Sequence, residues 1–420
     1  MIRAHKIRLY PNNKQVTYFK KACGCSRFAY NWGLNKWKEL YGNGEKPTVN
    51  KIDKLFNVEK KERYLWTKEV TKWATQMAIK EDLKDAFNGF YKKIGKYPKF
   101  KKRGIKDSFR MYSDVFETKD NSIWIPKLGW VRMAQPLRFS GKLLYGTISR
   151  KVDKWFISIS VEIQDKTPVY NDNGLIALSE NQAVGVDLGV SNLVTLSNGN
   201  KIEGIKAYKS AKGKLRRRQK DLSRKVGSKK GQKKSKNYQK AQIKLGRAYD
   251  RVFNLRNDQL HKITSMLTKQ YAIIGIEDLN VSGMLKNYRL AGSIQDMSFY
   301  EFRRQLDYKA KETGSKIIVA DRFFPSSKTC SSCGGINKEL RLSDRRWVCS
   351  DCGTEHDRDV NAAINLKNNA VGVTVSACGD FLEVISSMKQ EVSGEGGQSR
   401  KSYKNKRLNG DKYCVMESCI

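Results

Sequence analysis

The sequence predicts a multidomain chain that combines an α/β domain with a small β-barrel, on three observations. The 420 residues exceed the size at which a single hydrophobic core usually stops growing. Between residues 97 and 163, short strand-like runs alternate with Gly, Pro and Asp-Lys turns. Further on, the apolar runs Val184–Leu188 and Ile274–Leu279 each carry an acid near their end, the texture of buried central strands.

Residues 2–10 alternate in part (Ile2, Ala4, then Ile7, Leu9) and read as a strand ended by Pro11-Asn12-Asn13. From Lys14 to about Lys93 the period is helical. Phe28, Asn31, Trp32, Leu34 and Asn35 share one broad face, and Leu83, Phe87, Phe90 and Tyr91 recur at helical steps. Gly42-Asn43-Gly44 and Pro47 break this block. Trp66, Trp73 and Phe87 read as core rather than as base-stacking groups. Strands are expected at Ile123–Pro126, Trp130–Met133, Gly146–Ser149 and Trp155–Ile159. The strand at 2–10 would complete their barrel, with the helices inserted between.

Residues 165–182 read as a polar linker. Residues 206–247 hold eighteen Lys or Arg and one acid, Asp221. Leu215, Leu222, Ile243 and Leu245 punctuate this run, which predicts a helical hairpin continuing to about residue 270, with a loop near Gly227–Gly231 and polar faces toward phosphate. The Gly-, Ser- and Lys-rich stretch from about Gly372 is expected to be disordered.

The formal net charge is +40, from 82 Lys and Arg against 42 Asp and Glu. Self-repulsion on that scale favours a polyanion partner, and counterion release makes nucleic acid the natural one. No apolar run approaches the roughly 18 residues of a membrane span. The first residues lack an apolar signal core, so a reducing cytoplasm is the expected compartment. There, nine cysteines suggest metal or free thiols before disulfides. The three histidines, His5, His261 and His356, are too few for imidazole-rich chemistry, which turns attention to carboxylates.

Cys330-Ser331-Ser332-Cys333 and Cys349-Ser350-Asp351-Cys352 form two knuckles fifteen residues apart, a spacing that brings four thiolates to one tetrahedral ion. Gly334, Gly335 and Gly353 follow where the backbone must turn tightly. Four thiolates leave no open position, so the expected zinc is structural. A redox dithiol pair is the weaker reading. Cys23, Cys25, Cys378, Cys414 and Cys419 read as ordinary free cysteines.

Asp187 and Glu277 each stand two residues after a glycine, Gly185 and Gly275, on the same strand face. Those glycines would leave space beside the acids for ions or a phosphate backbone. Asp359 precedes a helical pattern from Val360 and is either its N-cap or a third metal ligand. Three acids on two strands and a helix suit two hard cations that hydrolyse a phosphodiester.

In order, an acid-bearing strand, basic helices, a second acid-bearing strand, a cysteine ribbon and Asp357-Arg358-Asp359-Val360-Asn361-Ala362-Ala363 resemble the TnpB family of insertion-sequence proteins. That family is similar to the compact type V CRISPR effectors. Arg27–Trp32, Tyr97–Lys101, Ile125–Gly129, Pro325–Cys330, Val375–Gly379 and Lys389-Gln390-Glu391 also match, so the resemblance spans residues 1–391. It implies an RNA-guided, Mg-dependent DNA endonuclease that cuts double-stranded target DNA next to a short motif. The guide RNA would be copied from the transposon end, and a homodimer is an open assembly state. The implied layout is a wedge barrel (1–12 and 97–168) holding an inserted helical recognition lobe (13–96), and a linker (169–182). A RuvC, or RNase H-like, domain (183–324 and 356–371) would follow, with the basic hairpin at 206–270, a zinc ribbon (325–355) and a tail (372–420). Motif by motif, Asp187, Glu277 and Asp359 become the catalytic Mg ligands, and Cys330, Cys333, Cys349 and Cys352 the zinc ligands. Lys72 and Gln76, on a helix expected at 67–92, would face the target-adjacent motif. Lys99, Lys101, Arg216, Arg217 and Arg218 would contact nucleic acid. The alternatives are a compact type V CRISPR effector, a guided repressor without cleavage and a basic zinc-ribbon RNA-binding protein.

Overall fold

The computed structural model describes residues 2–163, 182–226, 234–341 and 343–372. The linker expected at 165–182 (except Gln182), the loop near Gly227–Gly231, the tail beyond Gly372 and Cys378, Cys414 and Cys419 lie outside them. The described residues divide into two units, residues 2–163 and residues 182–372.

In the first unit, β1 (Ile2–Tyr10) leads into α1 (Asn13–Gly42), which a capping box starts: Asn12 and Gln15 exchange side chain-to-backbone hydrogen bonds. After α2 (Val49–Glu62) comes a 3₁₀ turn at Leu65–Glu69. The expected single helix over 67–92 is instead α3 (Trp73–Met77), a π-helical stretch at Ala78–Leu83, and α4 (Lys84–Tyr91). Strands β2 (Ser108–Tyr112), β3 (Glu117–Lys119), β4 (Ser122–Ile125), β5 (Gly129–Met133), β6 (Lys142–Lys151) and β7 (Lys154–Glu162) join β1 in one antiparallel sheet, ordered β2-β6-β7-β1-β5-β4-β3. β1 therefore pairs with β7 and β5, strands from the far side of the helical block.

The inward face of β1 is His5, Ile7 and Leu9, whereas Ile2 and Ala4 point outward. His5 takes the inner position because Gln135 and the Arg138 amide satisfy its ring nitrogens. Phe19 of α1 packs on Trp155 and Phe109 in the sheet core. A second core joins Leu34 and Trp37 to Ile52, Phe56, Leu83 and Phe87. Phe87 is core as expected, at 2% exposure, but Trp66 is 45% exposed. Cys23 and Cys25 are buried free thiols, and burial raises them to about 12 and about 11.

In the second unit, β8 (Ala183–Asp187), β9 (Val194–Leu196), β10 (Lys201–Ile202), β11 (Ile273–Ile276) and β12 (Lys316–Val319) form a sheet ordered β10-β9-β8-β11-β12. β8, β11 and β12 are parallel, and β9 and β10 extend the sheet antiparallel. The basic segment folds as α5 (Ala207–Arg224) and α6 (Lys236–Gln270), packed through Leu215, Leu245, Ala248 and Val252. Then follow α7 (Val281–Met284), α8 (Ala291–Met297) and α9 (Phe299–Thr313). Buried Asp296 of α8 anchors the start of α5, accepting from the Tyr208 and Lys209 amides while Arg256 of α6 pairs with it at 2.7 Å.

One sheet face, Val184, Val186, Ile274 and Ile276, packs with Leu260, Ile263 and Leu267 of α6 and Phe299, Phe302 and Leu306 of α9. The hairpin β13 (Arg346–Val348) and β14 (Glu355–Asp357) carries the second cysteine pair. Helix α10, residues 358–372, covers the other sheet face.

Candidate metal centres

β8 and β11 pair in parallel with Gly185 beside Gly275 and Val186 beside Ile276, so Asp187 and Glu277 emerge at the same level. The two carboxyls share a hydrogen bond. Burial first, then Glu277, then the charge of Asp359 push the Asp187 carboxyl well above its ordinary 3.8, with Arg358 opposing. The neighbouring acid Asp278 pairs with Arg322 at 2.6 Å.

Asp359 lies in the first turn of α10 but is not its cap. Asp357 caps the helix, accepting from the Val360 amide at 3.1 Å and pairing with Lys201 at 2.7 Å. Burial works against the ionised Asp357, yet these contacts outweigh it and lower its pKa. Asp359 is therefore free of capping duty and meets Arg345 at 3.3 Å.

The expected role of the two glycines requires correction. A Cβ on Gly185 would sit 1.8 Å from the Ala363 carbonyl oxygen, and one on Gly275 would sit 2.3 Å from that of Leu366. The space beside the strands is filled by the backbone of α10, not left for ions. The paired glycines form a track on which α10 lies, and the small Ala362, Ala363 and Ala370 are buried along it. Close seating of this helix is what brings Asp359 to Asp187.

Two buried asparagines that sequence reading passed over tie α10 to the cysteine ribbon. Asn361 donates to the Thr329 carbonyl and accepts from the Ser331 amide, at 2.7 and 2.9 Å. Asn365 donates to the Ser326 and Thr329 carbonyls at 2.7 Å. Their four-residue spacing on one helix face was the available signal.

The four cysteine Sγ atoms lie within 4.8 Å of one another, with Cys330–Cys352 at 3.7 Å and Cys333–Cys349 at 3.6 Å. A tetrahedral ion with metal–sulfur bonds of ~2.3 Å needs sulfurs about 3.8 Å apart, so the cluster fits one. Gly334 and Gly353 turn each knuckle at φ of 82° and 69°. His356 packs on Trp347 and lies 3.0 Å from the Cys330 sulfur. The carboxylates fit a harder ion. The carboxylates of Asp187, Glu277 and Asp359 are oxygen donors of the kind such an ion takes.

The acid pair has a measurable cost. Without divalent ions, folded Asp187 keeps a proton that the unfolded chain releases near its ordinary carboxylate pKa. The fold thus loses stability as pH rises from that value toward the raised one. Metal-free Asp187→Asn protein is expected to melt a few degrees above wild type at pH 7.5, with no difference near pH 3.5, by calorimetry.

The other predicted residues disperse. Lys72 is exposed with its ammonium 5.1 Å from the Trp73 ring centroid, and Gln76 is half-buried one turn on. Lys99 is exposed, but Lys101 turns inward to Asp82 at 2.8 Å and to the Tyr30 ring. Arg216 and Arg217 are exposed on α5, while Arg218 donates to the Lys244 carbonyl. Arg216, Gln219, Lys220, Ser223 and Arg224 line a shallow groove of about 460 Å³.

Three family models match the chain. These are an OrfB/IS605 model described as "Probable transposase" over residues 158–288, a Cas12f1-like TNB domain over 299–366, and an OrfB/IS605 helix-turn-helix domain over 1–46. Residues 1–46 of this chain hold a strand and one long helix rather than two helices about a turn. A Streptomyces pristinaespiralis protein with the provisional name RNA-guided DNA endonuclease is 35% identical, covering 90% of this chain and 91% of that one. Escherichia coli K12 InsQ, provisionally named likewise, is 35% identical over 93% and 97%. A Sulfoacidibacillus thermotolerans CRISPR-associated endodeoxyribonuclease, Cas12f1, is 29% identical over about half of each chain (51% and 50%). In fold, the chain is similar to Cas12f1 in a cryo-EM complex with sgRNA and target DNA, at a TM-score of 0.54 and 12% identity, covering 88% of this chain and 99% of that one. With 35% identity sustained over nearly the full length of such relatives, the chain belongs to the TnpB family of OrfB/IS605 insertion-sequence proteins.

Proposed function

We propose that this chain is an RNA-guided DNA endonuclease of an insertion sequence, cutting DNA beside a short motif by metal-dependent phosphodiester hydrolysis. The observation that carries this is the Asp187–Glu277 contact, with Asp359 brought to it by α10, inside a chain of net charge +40. In this reading the second unit is an RNase H-like (RuvC) domain carrying a zinc ribbon. The first is a wedge barrel with a helical recognition lobe inserted after its first strand.

Asp187, Glu277 and Asp359 would hold two Mg²⁺ ions. Such ions, when bound, activate a water and stabilise the leaving oxygen. The protein residues do the rest. The glycine track and the Asn361 and Asn365 clamps set the third carboxylate against the other two. Arg345 pairs with Asp359 at 3.3 Å and orients its carboxylate. Arg216, Lys220 and Arg224 on α5 offer positive charge to a phosphate backbone. Base pairing to a guide RNA would supply sequence selection, the protein reading only the adjacent motif. The near-full-length sequence similarity to insertion-sequence proteins, against sequence similarity to Cas12f1 over half the chain, favours the transposon setting over a CRISPR effector.

The test is co-expression of the gene with its downstream flank, sequencing of the bound RNA, and incubation of the complex with Mg²⁺. The substrate is a plasmid library with randomised bases beside a guide-matched target. Cleavage of a subset sharing one short motif is expected; bound RNA without cleavage would indicate a guided repressor. The ribbon is proposed to hold structural zinc. Cys349→Ser is expected to lower bound zinc from about one per chain to near zero by atomic absorption, and to reduce cutting through α10.

A further inference from the structure

One face of α1 forms the floor of a cavity of about 640 Å³ that the nuclease reading leaves unused. That volume lies within the ~300–1,000 Å³ range of sites for small organic ligands. Arg27, Phe28, Trp32 and Asn35 line it at helical spacing, and Trp66 and Phe100 complete it from outside α1. These last two rings are 45% and 47% exposed, so each keeps free ring surface toward the cavity.

The cavity is held in shape by its surroundings. Phe28 meets Trp66 edge-to-face at 5.1 Å, and the Trp32 indole donates to Glu59 at 3.2 Å. Asn31 grips the backbone beside Phe100, accepting from the Lys101 amide at 2.7 Å and donating to its carbonyl at 3.0 Å. The Lys38 ammonium lies 4.9 Å from the Phe100 centroid.

The irregular segment carrying Phe100 also sets the charge. Residues 92–106 contain eight Lys or Arg and no acid, with Tyr97 and Phe100 interleaved. Lys101 is spent on Asp82, while Lys99, Lys102 and Arg103 are exposed. Planar rings, amide and guanidinium groups at an edge, and a basic flank together match one chemistry. That chemistry is a nucleobase out of its stack, on a strand whose phosphates run beside it.

We propose that this cavity binds one unstacked base of single-stranded RNA, resting on the reading of the chain as RNA-guided. The base lies against Trp66 and Phe100, its edge toward Arg27 and Asn35, its phosphates along residues 92–106. RNA is the occupant because loops, bulges and ends present bases already unstacked, whereas duplex DNA must first lose pairing and stacking.

The test uses the full chain and three probes: a fluorescein-labelled 12-nucleotide RNA carrying one 4-thiouridine, the same sequence as DNA, and the RNA annealed to its complement. Binding is measured by anisotropy at raised salt, where the phosphate contribution is weakened. Single-stranded RNA is expected to crosslink to a peptide containing Phe28, Trp32, Trp66 or Phe100. Trp66→Ala with Phe100→Ala should remove that crosslink and weaken RNA binding roughly tenfold, with Trp66→Phe retaining most of both. The melting temperature should fall by no more than a few degrees, since both rings are about half exposed. Crosslinks elsewhere, equal loss for annealed RNA, tighter binding of the DNA strand, or unchanged RNA affinity in the double variant would each overturn the proposal. Because the probe is synthetic, the cavity can fail while guided cleavage persists, and can succeed where no guide RNA co-purifies.

Discussion

Replacing Asp187 with alanine is expected to abolish cleavage of guide-matched DNA while RNA-dependent DNA binding persists. Asp187 is the carboxyl on which Glu277 and Asp359 both act, so its removal breaks the oxygen donor set at its centre. A group that holds ions only for the chemical step contributes to rate and not to recognition; a loss on the order of 10³-fold or more is the expected scale. Cleavage of labelled duplex and a gel-shift on the same RNA–protein complex would measure the two separately. Loss of RNA binding or of folding would instead make Asp187 a structural residue.

Gly185→Ala is expected to be nearly as severe, although it touches no carboxylate. Its new methyl would meet the Ala363 carbonyl oxygen at 1.8 Å and the Lys367 amide nitrogen at 2.5 Å. Both are helix backbone atoms that cannot swing aside, so α10 must lift from the sheet. Overpacking of this kind costs about 1–3 kcal/mol, and occasionally more. A lifted α10 carries Asp359 away from Asp187, and cutting should fall roughly 100-fold or more, with the melting temperature down by several degrees. Gly213→Ala in α5 is the control. Nothing lies within 4 Å of a Cβ there, and alanine favours a helix, so activity and melting should hold or improve slightly. Equal loss in the two variants would mean that the glycine track does not position the site.

These two variants mark where sequence reading succeeded and where it did not. An acid at the end of an apolar run is a local pattern, and Asp187 and Glu277 do meet at the ends of adjacent parallel strands. The glycine beside each acid was equally visible, but its purpose was not. What fills the space is a helix that lies in sequence beyond the whole hairpin, α7 to α9 and the ribbon. Trp66 was read as core because an aromatic at helical spacing looks the same under a packed face as beside a cavity. β3 was missed because three residues carry no period, and β2 was missed although Phe109 and Met111 alternate inward along it.

By itself, the sequence determined the features whose cause lies within a few residues. Paired cysteines with glycines able to take positive φ make a tetrahedral cluster wherever the hairpin goes. A run of Lys and Arg punctuated by leucines makes two helices that pack on one another. Tertiary structure alone decided that Asp357 and not Asp359 caps α10, because that choice depends on Lys201 reaching across from β10. It alone turned Lys101 inward to Asp82 and left Trp66 and Phe100 open beside α1. The physical reason is common to these cases: side-chain charge, caps and exposure are set by groups distant in sequence, and those partners exist only once the chain has packed.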